Sequence, residues 1–332
     1  MGMLLNGKWQ VEETFATDQQ GHFVRRDSAL RNWVTPDGTP GPSGSGGFAA
    51  EPERYHLYVS LACPWAHRTL IFRALKRLEA VISVAVVDPF MGERGWAFTA
   101  PDGSLTSGST PDQLNDARYL YEIYLKNDPA YTGRVTVPVL WDKRRARIVN
   151  NESAEIIRML NSAFDQWGDA AIDLYPSELR TTIDEINAQV YPNVNNGVYR
   201  CGFARSQAAY DEAFEVLFSA LDDLEARLSR QRYLAGPRVT EADWRLFTTL
   251  VRFDAVYHGH FKCNRRGLID YPNLWNYARE LYQWPGVAAT VNLAQIKRHY
   301  YASHASINPT RIVPKGPDLD FTVAHDRATR RF

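Results

Sequence analysis

Apolar residues follow two rhythms along this chain, and the rhythm changes near the middle. In the first half, short continuous apolar runs alternate with stretches of 3.6-residue period; in the second half only the helical period remains. The run Tyr55-His56-Leu57-Tyr58-Val59-Ser60-Leu61 predicts a strand. Leu70, Ile71, Ala74, Leu75 and Leu78 place a helix over about 64–79, and Val81-Ile82-Ser83-Val84-Ala85-Val86-Val87 predicts a second strand. A strand, a helix and a strand in that order make a βαβ unit, so the strands should pair in parallel through a right-handed crossover. An insert follows, with Leu114, Ala117, Leu120, Tyr121 and Tyr124 at helical spacing. It leads to the strand Val135-Thr136-Val137-Pro138-Val139-Leu140-Trp141, and Ala146-Arg147-Ile148-Val149 follows closely enough to be its hairpin partner. Ser153 then opens a helix through Ala154, Ile156, Ile157 and Leu160.

After about residue 170 the strand patterns stop. Tyr210, Ala213, Phe214, Leu217, Leu221, Leu224 and Leu228 form one long helical stripe. Thr240-Glu241-Ala242-Asp243 reads as an N-cap with an acidic residue at N3, opening a helix through Leu246, Phe247, Leu250 and Phe253. Two more helical stretches cover 273–283 and 286–304. Residues 1–53 end in Pro40-Gly41-Pro42-Ser43-Gly44-Ser45-Gly46-Gly47 and hold too many breakers for regular structure, so they read as an extension over a domain surface. Residues 305–332, with Pro309, Pro314 and Pro317, read as an extended tail. The expected division is an extension at 1–53, an α/β domain at 54–170 with the strand order of a thioredoxin-like sheet, an all-α domain at 171–304 and a tail at 305–332.

Composition narrows the partners. Of 332 residues, 45% are hydrophobic, ordinary for a globular chain, and 38 basic side chains balance 38 acidic ones. A net charge of zero argues against nucleic acid or an anionic membrane as the main partner and leaves a small molecule as the expected substrate. Three cysteines, an odd number, do not make a disulfide framework and suit a reducing compartment. Met1-Gly2-Met3-Leu4-Leu5-Asn6 lacks a basic region before an apolar run, and Asn6 stands where a myristoylation signal needs Ser or Thr. No stretch approaches the ~20 apolar residues of a membrane span. A cytoplasmic, soluble protein is expected.

The chemistry concentrates at Cys63-Pro64-Trp65-Ala66, between the first strand and its helix. Pro64 suits the first helical position because its fixed φ fits and its missing N–H has no intrahelical partner to lose. The first-turn amides and the helix dipole then favour negative charge at the sulfur, so the thiol should ionise more readily than a free cysteine. Read without further context, the same residue is equally a cysteine that packs at a helix start. A dithiol redox motif would carry its second cysteine at 66, which is alanine, so a mixed disulfide on Cys63 must be resolved by an outside thiol, in a cytosol glutathione. Cys201 and Cys263 carry no partner signature and read as structural. The spacings His258/His260 and His299/His304 lack the cysteines or carboxylates that complete a metal site, so no metal is expected.

Four strings in order, Cys63-Pro64-Trp65-Ala66-His67-Arg68, Gly95-Trp96-Ala97-Phe98, Gly133 through Asp142, and Asn151-Glu152-Ser153-Ala154-Glu155-Ile156-Ile157, resemble the Xi class of the glutathione transferase superfamily, the glutathionyl-hydroquinone reductases. The likeness covers nearly the whole chain. It implies a thioredoxin-like domain followed by an all-α domain, with extended termini. It implies a cis bond before Pro138 that lets the Val137 backbone pair with the cysteinyl unit of glutathione, within a binding stretch Val135, Thr136, Val137. Glu152 and Ser153 would take the γ-glutamyl end, and Arg134 and Trp96 would bind the remaining carboxylate and cover the tripeptide. Tyr199, Tyr257 and Tyr300 would face the electrophile over Cys63. His67 and Arg68 follow Cys63 by a turn or less, but helix geometry points them around from the sulfur, so they read as support only. The activity implied is glutathione-dependent reduction of S-glutathionyl-hydroquinones by a homodimer, with no tightly bound cofactor. The alternatives are an omega-type thiol transferase or dehydroascorbate reductase using the same cysteine, and a glutathione-binding protein without activity.

Overall fold

The structure, a computed structural model, describes residues 2–11 and 15–332. It divides into two compact units that are not contiguous in sequence. The first gathers the described residues among 1–14, Arg26–Ile172 and Thr290–Arg311; the second gathers Phe15–Arg25, Asp173–Ala289 and Ile312–Phe332.

The first unit opens with β1 (Gly2–Leu5) and β2 (Lys8–Val11), an antiparallel hairpin in a stretch expected to be irregular. Asn6 and Gly7 turn it with φ of 48° and 74°, the left-handed pair a two-residue hairpin turn requires. The main sheet contains β3 (Tyr55–Val59), β4 (Ile82–Val86), and later β6 (Val139–Asp142) and β7 (Arg147–Asn150), between which come α1 (Pro64–Leu75), α2 (Leu120–Asn127) and β5 (Gly133–Arg134). α3 (Ser153–Ser162) follows β7. The strand order is β4-β3-β6-β7, with β3 and β4 parallel across α1 and the remaining pairs antiparallel. All five β3 residues are buried, which explains a run apolar on both faces.

The insert helix starts at Leu120 rather than near 114 because the Asp112 carboxylate accepts from the amides of Leu114, Asn115 and Ala117 and holds those residues in turns. The strand expected over 135–141 begins only at Val139, and β5 lies just before the expected stretch. Arg134 pairs with Met3 of β1, whereas Val139 pairs with Tyr58 of β3. Pro138, which has no N–H to give a ladder, sits between them and its bond to Val137 is cis.

The second unit is helical: α4 (Arg180–Val190), α5 (Gly197–Gly202), α6 (Gln207–Leu228), α7 (Glu241–Leu250), the single turn α8 (His258–His260) and α9 (Pro272–Tyr282). The α7 capping box is present as expected: the Thr240 amide donates to Asp243 at 2.7 Å. Two π-helical turns, Tyr191–Asn195 and Phe253–Tyr257, lead into α5 and α8. The last helix, α10 (Leu293–Ser303), begins later than 286 because residues 288–290 form a 3-10 turn and the Asn292 side chain caps at the Gln295 amide.

α10 belongs to the first unit, not to the helical one in which a division at 304/305 places it. Its Gln295 donates to the Ser107 carbonyl at 2.7 Å and its Ser303 hydroxyl accepts from the Met91 amide at 2.9 Å. Nor are the termini plain extensions. Residues 15–25 pack with the helical unit, and Arg327 near the end is buried against it, paired with Glu280 at 3.1 Å.

Candidate active site

Cys63 lies where β3 hands over to α1. The chain leaves Val59, turns through Ser60, whose carbonyl accepts from the Cys63 amide at 3.2 Å, and enters the helix at Pro64. Cys63 is the N-cap, with ψ of 122°, and its carbonyl takes the first helical bond from the His67 amide. The side chain is largely buried, and Sγ lies 3.5 Å from the Val137 carbonyl. The helix start and the 135–137 stretch therefore meet at the sulfur.

Val135 and Val137 are buried. Thr136 between them is gripped by Tyr124, whose hydroxyl donates to the Thr136 carbonyl at 2.9 Å and accepts from its amide at 3.3 Å. The same hydroxyl accepts from Asn151 Nδ2 at 3.2 Å, so Tyr124 joins this stretch to the turn that carries Glu152 and Ser153. Nothing in the sequence singled Tyr124 out, because it occupies an ordinary core position of a helical stripe. Glu152 is the N-cap of α3 and accepts from the Ala154 amide at 3.0 Å and the Ser28 hydroxyl at 3.2 Å. Ser153, first in the helix, accepts from the buried Arg68 guanidinium at 3.4 Å. Arg68 thereby ties α1 to the α3 start, while its guanidinium lies 4.7 Å from the Trp65 ring centre. Arg134 lies in β5, whose Gly133 and Arg134 pair with β1.

Trp96 is buried and stacks on His299 of α10, with centroids 4.7 Å apart and planes 20° apart. His299 Nδ1 is 2.9 Å from the Pro89 carbonyl, and its ring meets that of Tyr300 edge-on at 5.3 Å. Trp96 and Tyr300 are thus joined through His299, which the sequence marks only by its spacing to His304. Among the described residues, no three His, Cys, Asp or Glu side chains come together as metal ligands.

Tyr199 and Tyr257 form a pair in the second unit. Tyr199 rides on α5 and Tyr257 ends the π-helical turn 253–257; their rings are 6.0 Å apart and both pack on Phe261. The Arg25 guanidinium lies 4.9 Å from the Tyr199 ring centre. Cys201 and Cys263 are buried in the same neighbourhood, and burial, reinforced by the Cys201 thiol, pushes the Cys263 thiol well up. These two sulfurs have the environment of packing cysteines, whereas Cys63 starts a helix.

The chain matches the family description "Glutathione S-transferase, N-terminal domain" over residues 62–163 and "Glutathione S-transferase, C-terminal domain" over 207–280. Glutathionyl-hydroquinone reductase YqjG of Escherichia coli (strain K12) is 56% identical over 330 residues, spanning 99% of each chain. Glutathionyl-hydroquinone reductase PcpF of Sphingobium chlorophenolicum is 54% identical over 96% of each. The glutathione-bound structure of the Escherichia coli protein superimposes with a TM-score of 0.91 at 53% identity over 99% of this chain and 100% of that one. A Xi-class transferase from Natrialba magadii gives 0.90 at 49% identity, over 99% and 98%. With the fold, the motif order and full-length similarity in agreement, the chain belongs to the glutathionyl-hydroquinone reductases, the Xi class of the glutathione transferase superfamily.

Proposed function

We propose that the protein reduces S-glutathionyl-hydroquinones to hydroquinones, using the Cys63 thiolate as nucleophile and glutathione as the second substrate. The observation that carries the reading is the Cys63 thiol at the start of α1, beside the Val137 carbonyl, with alanine at position 66. In the first step Cys63 Sγ attacks the glutathionyl sulfur, a sulfur–sulfur bond forms and the carbon–sulfur bond breaks. The electron pair stays with the ring carbon, which takes a proton to become the hydroquinone; Tyr199 is the donor, with Tyr257 and Tyr300 as further hydroxyls for the substrate. In the second step a glutathione thiolate attacks the Cys63–glutathione disulfide, releasing oxidised glutathione and restoring the thiolate. The Val137 backbone pairs with the cysteinyl unit of glutathione, the α3 start with Glu152 and Ser153 takes the γ-glutamyl end, and Trp96 and Arg134 hold the rest. The helix start supports that assignment, since its first amides suit a carboxylate. The proposal also places the protein in the cytoplasm as a homodimer. Three free cysteines suit the former, and light scattering tests the latter.

The test compares a glutathionyl-hydroquinone with hydroxyethyl disulfide, both with glutathione. Cys63→Ser should abolish turnover of both. Tyr199→Phe should slow hydroquinone release by ~10²-fold while barely changing disulfide reduction, because an ordinary disulfide leaves a thiolate that needs no proton delivered to carbon. If both activities fall together, Tyr199 serves architecture and the proton-donor assignment is wrong. A preference for dehydroascorbate would favour the thiol-transferase alternative.

A further inference from the structure

Residues 15–25, far from Cys63 in sequence and outside every motif, fold as a strap on the helical unit. Thr17 and Phe23 pair across a turn in which the Asp18 carboxylate accepts from the amides of Gln20 and His22. Gly21, at φ of 91°, lies so close to the α6 start that an added Cβ would come within 2.9 Å of the Ser206 amide nitrogen. Two main-chain carbonyls seat the strap: that of Gly21 accepts from the Arg205 amide at 2.9 Å, and that of Gln20 from the Ser206 hydroxyl at 2.7 Å. Phe15 stacks on Phe203 with centroids 3.5 Å apart, and Phe23 lies 5.3 Å from the same ring, which itself borders Tyr199. His22 closes the seat against Glu212 of α6 at 3.2 Å.

The strap ends at Arg25, and its guanidinium is directed by two features. Nε donates to Asn196 Oδ1 at 2.7 Å, and Asn196 is the residue that starts α5, its carbonyl accepting from the amide of Tyr199 at 3.0 Å. The cation then rests 4.9 Å from the Tyr199 ring centre and 5.3 Å from that of Phe23. One side chain therefore grips the start of the helix that carries Tyr199 and sets a positive charge against its ring. Both effects bear on a phenol that must give up a proton: the first fixes where the hydroxyl points, and the second stabilises the negative charge left on the ring.

We propose that Arg25 is a positioning residue for Tyr199, so that the N-terminal strap is part of the machinery for carbon–sulfur cleavage. This rests on Tyr199 as the proton donor. Arg25→Met keeps the length of the side chain and removes the charge and the Asn196 bond; Arg25→Lys keeps the charge. Arg25→Met should lower kcat for a glutathionyl-hydroquinone roughly tenfold with KM little changed, and leave hydroxyethyl disulfide reduction at the wild-type rate, which also shows that the variant is folded. Arg25→Lys should recover most of the loss. In a Tyr199→Phe background, Arg25→Met should cost nothing more, because a residue acting through Tyr199 has nothing left to act on. Equal loss of both activities, a lysine variant as impaired as the methionine one, or additive losses in the double variant would each overturn the inference. If Tyr199→Phe is selective and Arg25→Met is not, this inference alone fails; if Tyr199→Phe is itself not selective, the proton-donor reading fails and takes this one with it.

Discussion

At the scale of single residues, three thiols in one chain have different surroundings. Cys63 opens α1 with Pro64 behind it, a position where the helix dipole favours negative charge on a sulfur. Cys263 is fully buried beside Cys201, and burial holds its proton on. Iodoacetamide should therefore label Cys63 first, with a rate that titrates below the free-thiol midpoint of ~8.5, and should reach Cys201 and Cys263 only after denaturation. A midpoint at or above that value, read by peptide mapping across a pH series, would remove the case for a stabilised thiolate. The place of Cys63 at a helix start was legible because a strand, a cysteine and a proline before an apolar helical period mark that boundary in sequence. Tyr124 was not. Its apolar period says only that it faces inward, and its hydroxyl bonds to Thr136 and Asn151 exist only once the chain is folded.

Elements were legible where one period ran unbroken. β3, β4, α6 and α7 stand within a few residues of their predicted positions, since nothing in those runs competes with the pattern. The β1–β2 hairpin carried its own signal in Asn6-Gly7, but the weight of prolines and glycines further along the extension hid it. The π-helical turn at Phe253–Tyr257 was invisible for another reason: the apolar spacing continues from α7 through Phe253, while the His258 amide reaches back five residues to the Phe253 carbonyl. That turn delivers Tyr257 and Phe261 to α5, and the close approach depends on Gly202. A Cβ there would lie 2.2 Å from Cγ of Phe261, a ring with no exposed surface that stacks on Tyr257. Gly202→Ala should thus destabilise the protein by about 1–3 kcal/mol, the usual cost of forcing extra volume into a packed core. Urea unfolding measures this, and an unchanged midpoint would mean that the ring has room to yield.

At the scale of the whole chain, neither unit is one continuous stretch, and periodicity offers no way to see this. α10 has the same amphipathic spacing as the helices before it, yet its partners are Ser107 and Met91; the strap at 15–25 leaves the first unit and returns to it at Arg26. Burial of one polar residue in the central strand then makes stability depend on pH. His56 lies in β3, only 6% exposed; Nδ1 is 2.8 Å from the Ser83 hydroxyl, and Nε2 is buried with no hydrogen-bond partner among the described residues. Burial lowers its pKa from 6.5 to about 4, opposed by Asp112 and reinforced by Lys143 and Arg73. The folded protein therefore resists a proton that the unfolded chain accepts near 6.5. The stabilisation is whole above that pH and is lost as pH falls towards 4, a loss of about 2–3 kcal/mol by pH 4.5 from this group alone. His56→Gln keeps a polar partner for Ser83 and cannot titrate, so between pH 7 and pH 4.5 its denaturation midpoint should fall by less than that of the wild type. Parallel losses in the two proteins would show that the imidazole takes up its proton in the folded state as readily as in the unfolded one.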